Sequence, residues 1–453
     1  MKITVKNKLI LSDMPPGLMQ SIIGKLTIPN PKYLDAVKMG RYLGNIDRQL
    51  QFYKEAPDNL ILPRGFIYEL WNLCREYKIK PIINDDRKFF PFVNFKFHGQ
   101  LRQYQTLAVN AIDKHDFGVL EAPTGSGKTA MALYIIARRK QSALIVVHTK
   151  ELLNQWVERI QQFLGIQKEE IGIIGNGKKK LGEQITVAMV QSLYKCADEV
   201  KNHIGHVIVD ECHRVPSRTF NEAISAFDCK FILGLSATVF RNDGLSQLIG
   251  WYLGDVGHQV DRAALVQNGS ITSFEVVTRE TDFDTLLDCS RYYSKVISEL
   301  CLDDKRNQMI SQDVAKNAGN GSGVALVLSD RKSHCMALYE LIRGHGVDVE
   351  ILTGDMKNAD RQEVIEKINN GSVQAVVATS QLISEGFDCA ALSLLFLATP
   401  IKFSGRLTQS LGRVLRPAPG KNKAKVYDYV DRRVGVLLSS ANARQLVYNQ
   451  LGA

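Results

Sequence analysis

The sequence predicts an α/β protein: two parallel-sheet units in tandem, behind a small N-terminal α+β domain. Three observations predict it. Between Leu101 and Leu235, short β-rich apolar runs alternate with amphipathic helical stretches. The same rhythm restarts after Gly323. Residues 1–95 lack that rhythm altogether.

The first unit's strand candidates are FGVLEA (117–122), SALIVVHT (142–149), ITVAMV (185–190), HVIVDE (206–211) and KFILGLSA (230–237). They are apolar on both faces, as strands of a parallel sheet covered on both sides must be. Between them, KELLNQWVERIQQFL places Leu152, Leu153, Trp156, Ile160 and Phe163 at helical spacing, which predicts a helix with one buried face. The second unit repeats this with GVALVLSD, VDVEILTG, VQAVVATS, LSLLFLAT and AKVYDYVD as strands, and with RKSHCMALYELIRGHG and NADRQEVIEKINNG as helices. The expected division is an accessory domain over 1–95, a first unit over 96–264, a linker over 265–273 at its Asn-Gly-Ser turn, and a second unit over 274–453.

The N-terminal domain shows one readable helix, GFIYELWNLCREYKI, with Ile67, Leu70, Trp71 and Cys74 expected as a core stripe. The segment from Pro29 to Lys54 interleaves Lys32, Lys38, Arg41, Arg48 and Lys54 with Tyr33, Tyr42, Phe52 and Tyr53. Such a pattern suits either contacts to phosphates and bases or a solvated face. Lys178, Lys179 and Lys180, like Lys421, Lys423 and Lys425, read as exposed basic turns, for nucleic acid or for solubility.

At 453 residues the chain is too long for one compact core. Lys and Arg number 57 against 47 Asp and Glu, a formal charge of +10 that suits a polyanionic partner. The eight cysteines form no CxxC pair, and the N-terminal apolar run is too short for a signal peptide. No apolar stretch reaches the ~18–20 residues of a membrane span. Reduced thiols, a cytoplasmic location and no membrane partner are the expectation.

The chemistry starts at VLEAPTGSGKTAMAL. Ala122, four residues, then Gly127-Lys128-Thr129 fits a phosphate-binding P-loop, with Ala in the first glycine position. Pro123, Thr124, Gly125, Ser126 and Gly127 would wrap backbone N–H groups around phosphate oxygens. Lys128 would reach the β- and γ-phosphates, and Thr129 would bind Mg²⁺. A P-loop needs a second carboxylate at a neighbouring strand end. GHVIVDECHRVP supplies it in Asp210, and Glu211 beside it is placed to polarise an attacking water as general base, with both carboxylates joining Thr129 as the expected metal-site residues. Zinc is the competing reading of Asp210-Glu211-Cys212-His213, but no Cys or His partner stands at a ligand spacing. ATP and Mg²⁺ are the implied cofactors.

Further motifs follow in a fixed order: LRQYQ, HTKELLNQW, VAMVQSL, GLSATVFRNDG, VVATSQLISEGFD and SGRLTQSLGRVLRP. In the last, Arg406, Gln409, Arg413 and Arg416 would share one helix face at i, i+3, i+7 and i+10. Over residues 98–435 this set resembles the superfamily 2 helicases of the DExH group, and within it the phage UvsW-type recombination helicases, with XPB-like helicases next.

The resemblance implies two tandem RecA-like P-loop domains and an ATP hydrolase coupled to nucleic-acid unwinding. It implies adenine contact from Gln105 with Arg102 nearby, and coupling of hydrolysis to movement through His213, Ser236, Ala237 and Thr238. Strand contacts would come from Thr149, Lys150, Gln191, Ser192, Arg241, Thr379 and Ser380. Glu385, Gly386, Asp388 and Gln409 would serve the nucleotide, with Arg413 and Arg416 as arginine fingers. Arg241-Asn242-Asp243 departs from the Arg-Glu-Asp element of XPB-like helicases at Asn242. The implied substrate is branched, forked or duplex DNA in replication, recombination or repair. RNA, or duplex translocation or clamping without strand separation, stand as alternatives, and oligomeric state is left open.

Overall fold

In the computed structural model the described residues are 1–38, 40, 42–214, 218–239, 244–289, 291–319, 323–380, 391–401, 407, 410–412, 414, 421 and 423–451. The chain forms two compact units, one of residues 1–122 and 127–260, the other of 261–453 with the short segment 123–126.

The first unit begins with a five-stranded sheet in the order Lys54–Ala56, Asn59–Pro63, Lys8–Ser12, Lys2–Val5, Ile82–Asp85. Neighbours are antiparallel except the last pair. Ile3, Leu9, Leu11, Leu60 and Leu62 point to one side, where Leu18 and Ile22 of helix Pro16–Lys25 and Leu70 and Cys74 of helix Ile67–Glu76 close the core. Trp71 departs from its expected place in that stripe. It is 38% exposed, and Leu73, at 3%, takes the inward position.

This small sheet has no core of its own to itself. Leu248 and Trp251, from helix Gln247–Leu253 of the following α/β layer, are buried in the same cluster. Buried Arg64 donates from Nη1 to the Cys229 carbonyl at 2.7 Å, and Asn7 Nδ2 to the Ser225 carbonyl at 2.6 Å. Burial pushes the Arg64 guanidinium down to about 10. A side chain at Gly65 would sit 2.0 Å from the Gly250 carbonyl oxygen and 2.6 Å from the Gly254 nitrogen. The accessory domain and the layer behind it therefore share one packed interior, through a backbone approach only glycine permits.

That layer is an eight-stranded sheet in the order Lys178–Lys180, Gly172–Gly175, Ile185–Met189, Ala143–Val147, His206–Val209, Phe231–Ser236, Phe117–Glu121, Val256–Gln259. All neighbours are parallel except the first pair. The five expected strands form its centre. Lys178–Lys180, expected as a turn, is instead an exposed edge strand, and its charges protect the edge from further pairing. Helix Lys150–Leu164 buries Leu153, Trp156, Val157, Ile160 and Leu164, each worth roughly 1.5–3 kcal/mol of transfer from water. Phe163 stacks on Phe97 at 5.5 Å.

The second unit carries a six-stranded, wholly parallel sheet: Ser273–Thr281, Lys423–Asp431, Leu392–Leu397, Val324–Ser329, Ala375–Thr379, Val349–Leu352. Helices Asp304–Asn317 and Lys332–Gly344 cover Ala325, Val327, Val377 and Phe396. Residues 265–273, expected as a linker, instead end helix Arg262–Gln267 and start strand Ser273–Thr281. The Asn-Gly-Ser turn joins the two, with Gly269 at φ +69°. Lys421, expected as exposed, turns inward and caps the Leu392 and Val414 carbonyls.

Gly65→Ala should cost about 2 kcal/mol or more, because the added carbon meets backbone that cannot step aside. Thermal unfolding should show a loss of several degrees, whereas Gly24→Ala, in open space, should leave the melting temperature nearly unchanged.

Candidate nucleotide site

The motif residues of the first unit gather because its central strands are parallel. Phe117–Glu121, Ala143–Val147, His206–Val209 and Phe231–Ser236 all end at one edge of the sheet, and the polar residues that follow each strand project there. Ala122 N donates to the Ser236 carbonyl at 2.9 Å and Asp210 N to the Val146 carbonyl at 3.0 Å, so the ladder continues into the motifs.

Gly125 and Gly127 take φ +89° and +81°, the left-handed turn the phosphate loop requires. Helix Lys128–Arg139 starts at once, so its free N–H groups and dipole face the loop. Lys128 Nζ donates to the Ala122 carbonyl at 2.8 Å. Thr129 is half-buried in the helix's first turn. Gln105 is 7% exposed and its Nε2 fills the space a side chain at Gly127 would need, 2.4 Å away. Its Oε1 accepts from the Arg102 backbone at 2.9 Å, which pins the glutamine. Arg102 itself is exposed at the N-cap of helix Gln103–Ile112.

Asp210 is 8% exposed, and both its oxygens are held. Trp156 Nε1 donates to Oδ2 at 2.8 Å, and the Glu211 N–H to Oδ1 at 3.0 Å. Desolvation first, then the Glu211 charge, push the Asp210 carboxyl up to about 6. Trp156 and Lys128 pull against this. Glu211 stands in the left-handed region at φ +50°, which costs a non-glycine residue ~1–2 kcal/mol. Its Oε2 lies 3.2 Å from His213 Nδ1, and the same nitrogen lies 3.2 Å from Ser236 Oγ. Ser236 gives its one proton to the Thr238 carbonyl at 2.5 Å, so the hydrogen-bond pattern assigns the proton of the shared contact to His213 Nδ1. A hydrogen-bonded run thus joins His213, Ser236 and Thr238, with Glu211 Oε2 beside His213 and Ala237 in the turn.

These residues fit Mg²⁺ with a polyphosphate. Two adjacent, desolvated carboxylates beside a helix N-terminus call for a cation, and Thr129 and Asp210 are hard oxygen donors of the kind Mg²⁺ takes. They do not fit zinc: no cluster of three metal-competent side chains exists among the described residues. Cys212 is fully buried in the sheet's core cluster, and desolvation pushes its thiol well above the ordinary range.

Of the strand-contact candidates, Thr149 accepts from Leu152 N at 3.3 Å as N-cap of helix Lys150–Leu164, and Lys150 is exposed. Gln191 is exposed and Ser192 half-buried on helix Val190–Leu193. In the second unit, Thr379 is half-buried at the end of strand Ala375–Thr379, whereas Ser380 is 2% exposed and offers no surface. Arg241, Glu385, Gly386, Asp388, Gln409, Arg413 and Arg416 lie outside the described residues. Trp156 is the site residue that sequence reading placed only in the core. Its signal was available: a buried indole N–H needs an acceptor, and its own apolar stripe holds none.

Asp210 titrates higher in the fold than its ordinary 3.8. Its contribution to stability is therefore present below that value and lost as pH rises through about 6. Glu211→Gln removes the repulsion, so it should raise the melting temperature of the nucleotide-free protein at pH 8. That gain should vanish by pH 5, where Asp210 is mostly protonated. Cys212→Ala should cost ~1 kcal/mol as a small core cavity and leave turnover intact, which a paired melt and ATPase assay would check.

Residues 98–241 match the family model described as type III restriction enzyme, res subunit, and residues 305–418 the helicase conserved C-terminal domain. The chain is 28% identical over 363 residues to a protein of Acanthamoeba polyphaga mimivirus that bears an ATP-dependent RNA helicase name, spanning 76% of this chain and 66% of that one. It is 27% identical over 421 residues to the ATP-dependent DNA helicase uvsW of Enterobacteria phage T4, covering 85% of this chain and 82% of the relative. To the DNA 3'-5' translocase XPB2 of Sulfurisphaera tokodaii it is 27% identical over 365 residues, 72% and 80% of the two chains. Among solved structures, S. cerevisiae Dbp5 bound to RNA and ADP BeF3 shares the fold at a TM-score of 0.55 and 15% identity, over 77% of this chain and 87% of that one. With the res-subunit model and the helicase C-terminal model matched in order, and helicase relatives aligned across most of its length, the chain belongs to the superfamily 2 helicases and carries two tandem RecA-like domains.

Proposed function

We propose that the chain is an ATP-dependent DNA helicase or translocase that unwinds or branch-migrates forked and junction DNA in replication, recombination or repair. The observation that carries this reading is the set of Lys128, Asp210, Glu211, His213 and Ser236 at the ends of parallel strands in one unit. DNA is favoured by the phage T4 and XPB2 relatives, both of which align over most of their own length.

In this reading the loop from Pro123 to Gly127 wraps the phosphates with N–H groups, and Gln105 contacts the adenine. Lys128 leaves the Ala122 carbonyl and turns to the β- and γ-phosphates. Thr129 and Asp210 hold Mg²⁺, which when bound neutralises phosphate charge and orients the γ-phosphate. Glu211 takes a proton from the attacking water. His213, whose Nδ1 lies against both Glu211 and Ser236, carries the change at the carboxylate into the Ser236–Thr238 turn. Arg413 and Arg416 act as arginine fingers, and Glu385, Gly386, Asp388 and Gln409 complete the second unit's nucleotide contacts. Thr149, Lys150, Gln191, Ser192, Arg241, Thr379 and Ser380 bind the strand backbone, with Ser380 needing a local rearrangement. The N-terminal domain holds duplex or junction DNA. Lys178, Lys179 and Lys180 add charge along an exposed edge.

RNA is a second reading, favoured by the name of the mimivirus relative. A duplex translocase without strand separation is a third, favoured by the name of the XPB2 relative.

ATPase and strand-displacement assays with single-stranded DNA, duplex, forks, four-way junctions and RNA separate the three. Forked and junction DNA should stimulate turnover and yield separated or migrated strands. Stimulation by RNA alone would overturn the DNA reading, and turnover on duplex without product strands would favour translocation. Lys128→Ala should abolish turnover, and Arg413→Ala should slow it without unfolding the chain. Glu211→Gln should keep ATP binding and lose ~100-fold or more in kcat. DNA affinity should fall steeply between low and moderate salt, as phosphate contacts require.

A further inference from the structure

Helix Lys150–Leu164 touches two places with opposite tasks. Its N-terminus, capped by Thr149 with Lys150 exposed beside it, is the proposed strand-binding end. Less than two turns on, roughly 10 Å along the axis, Trp156 drives its indole into the interior at 2% exposure and donates to Asp210 Oδ2 at 2.8 Å. Leu153, Val157, Ile160 and Leu164 anchor the same face. A rigid helix seated this way moves as a piece, so a pull at Thr149 and Lys150 is felt at the Trp156 nitrogen.

The other end of that bond explains why this matters. Each carboxylate oxygen of Asp210 accepts one protein donor, Trp156 on Oδ2 and the Glu211 N–H on Oδ1. The second of these is local and travels with the strand. The first is the described side-chain donor to Asp210 that comes from another element, and it sets the rotation of the carboxylate plane. The remaining lone pairs are those left for a metal or its waters.

Resting on the reading given under Proposed function, we propose that Trp156 is a positioning residue that couples strand binding to hydrolysis: nucleic acid held at Thr149 and Lys150 shifts helix Lys150–Leu164, and the indole N–H carries that shift to Asp210. Trp156 touches neither nucleotide nor strand. It acts by orienting the carboxylate that holds Mg²⁺, so its loss should fall on metal use and on stimulation rather than on strand affinity.

The test uses the full chain and Trp156→Phe, which keeps an aromatic ring and removes the N–H. Stimulation of ATPase by single-stranded DNA should drop, and the Mg²⁺ concentration for half-maximal turnover should rise, each by ~10-fold or more. ATP KM and the Kd for the strand should stay within about twofold of wild type. A second readout needs no turnover. The other two tryptophans, Trp71 and Trp251, are common to both proteins, so the wild-type minus Trp156→Phe emission isolates Trp156. Single-stranded DNA, added without ATP or Mg²⁺, should change that difference spectrum. If Trp156→Phe folds poorly, benzothienylalanine at the same position keeps the bicyclic ring without the N–H and should behave likewise. Full stimulation and unaltered Mg²⁺ dependence in either variant, or a difference spectrum indifferent to DNA, would overturn the coupling role. A wild-type protein that no nucleic acid stimulates would instead sink the helicase reading itself.

Discussion

Two carboxylates stand next to each other at the end of a buried strand, and the first unit is arranged around that fact. Asp210 is desolvated and faces the charge of Glu211, so its proton is held up to about 6. Left alone, such a pair weakens the fold at neutral pH. The surroundings answer it piecemeal: an indole N–H and a backbone N–H on Asp210, His213 on Glu211, Lys128 near enough to favour the charged form. None of these is a full counter-charge in contact.

The sheet makes the arrangement affordable and keeps it rigid. Because the central strands run parallel, four of them deliver their C-terminal residues to one edge. The strand interiors are mostly apolar, as in Ala143–Val147, and buried His206 is met by the Arg139 guanidinium at 3.0 Å. At the site itself the left-handed backbone falls on Glu211, the strained position, and on the phosphate-loop glycines, which adopt it freely. Cys212 faces inward between them and the sheet, so the motif alternates: carboxylates toward the site, thiol toward the core, imidazole back toward the site.

The accessory domain illustrates a different constraint. Arg64 is buried against the Cys229 carbonyl, and Gly65 lies on the backbone of Gly250 and Gly254. Such contacts cannot slide without losing hydrogen bonds and packing together. Whatever this domain binds is therefore bound to the first RecA-like layer as well.

Periodicity and motif spacing alone determined the five central strands of the first unit, five of the six in the second, the phosphate loop, and the roles open to Lys128, Asp210 and Glu211. Those signals are local: an apolar run, a glycine pair, an acid after a strand. Tertiary structure alone decided the partners. It placed Trp156 of one helix on Asp210 of a distant strand, tied His213 to Ser236, and set Gln105 against Gly127. It also turned Trp71 outward against its helical spacing, and Lys421 inward against its place in a basic turn. The physical reason is the same in each case. A side chain's period says which face it lies on, but which donor meets which acceptor depends on elements that the sheet brings together from far along the chain.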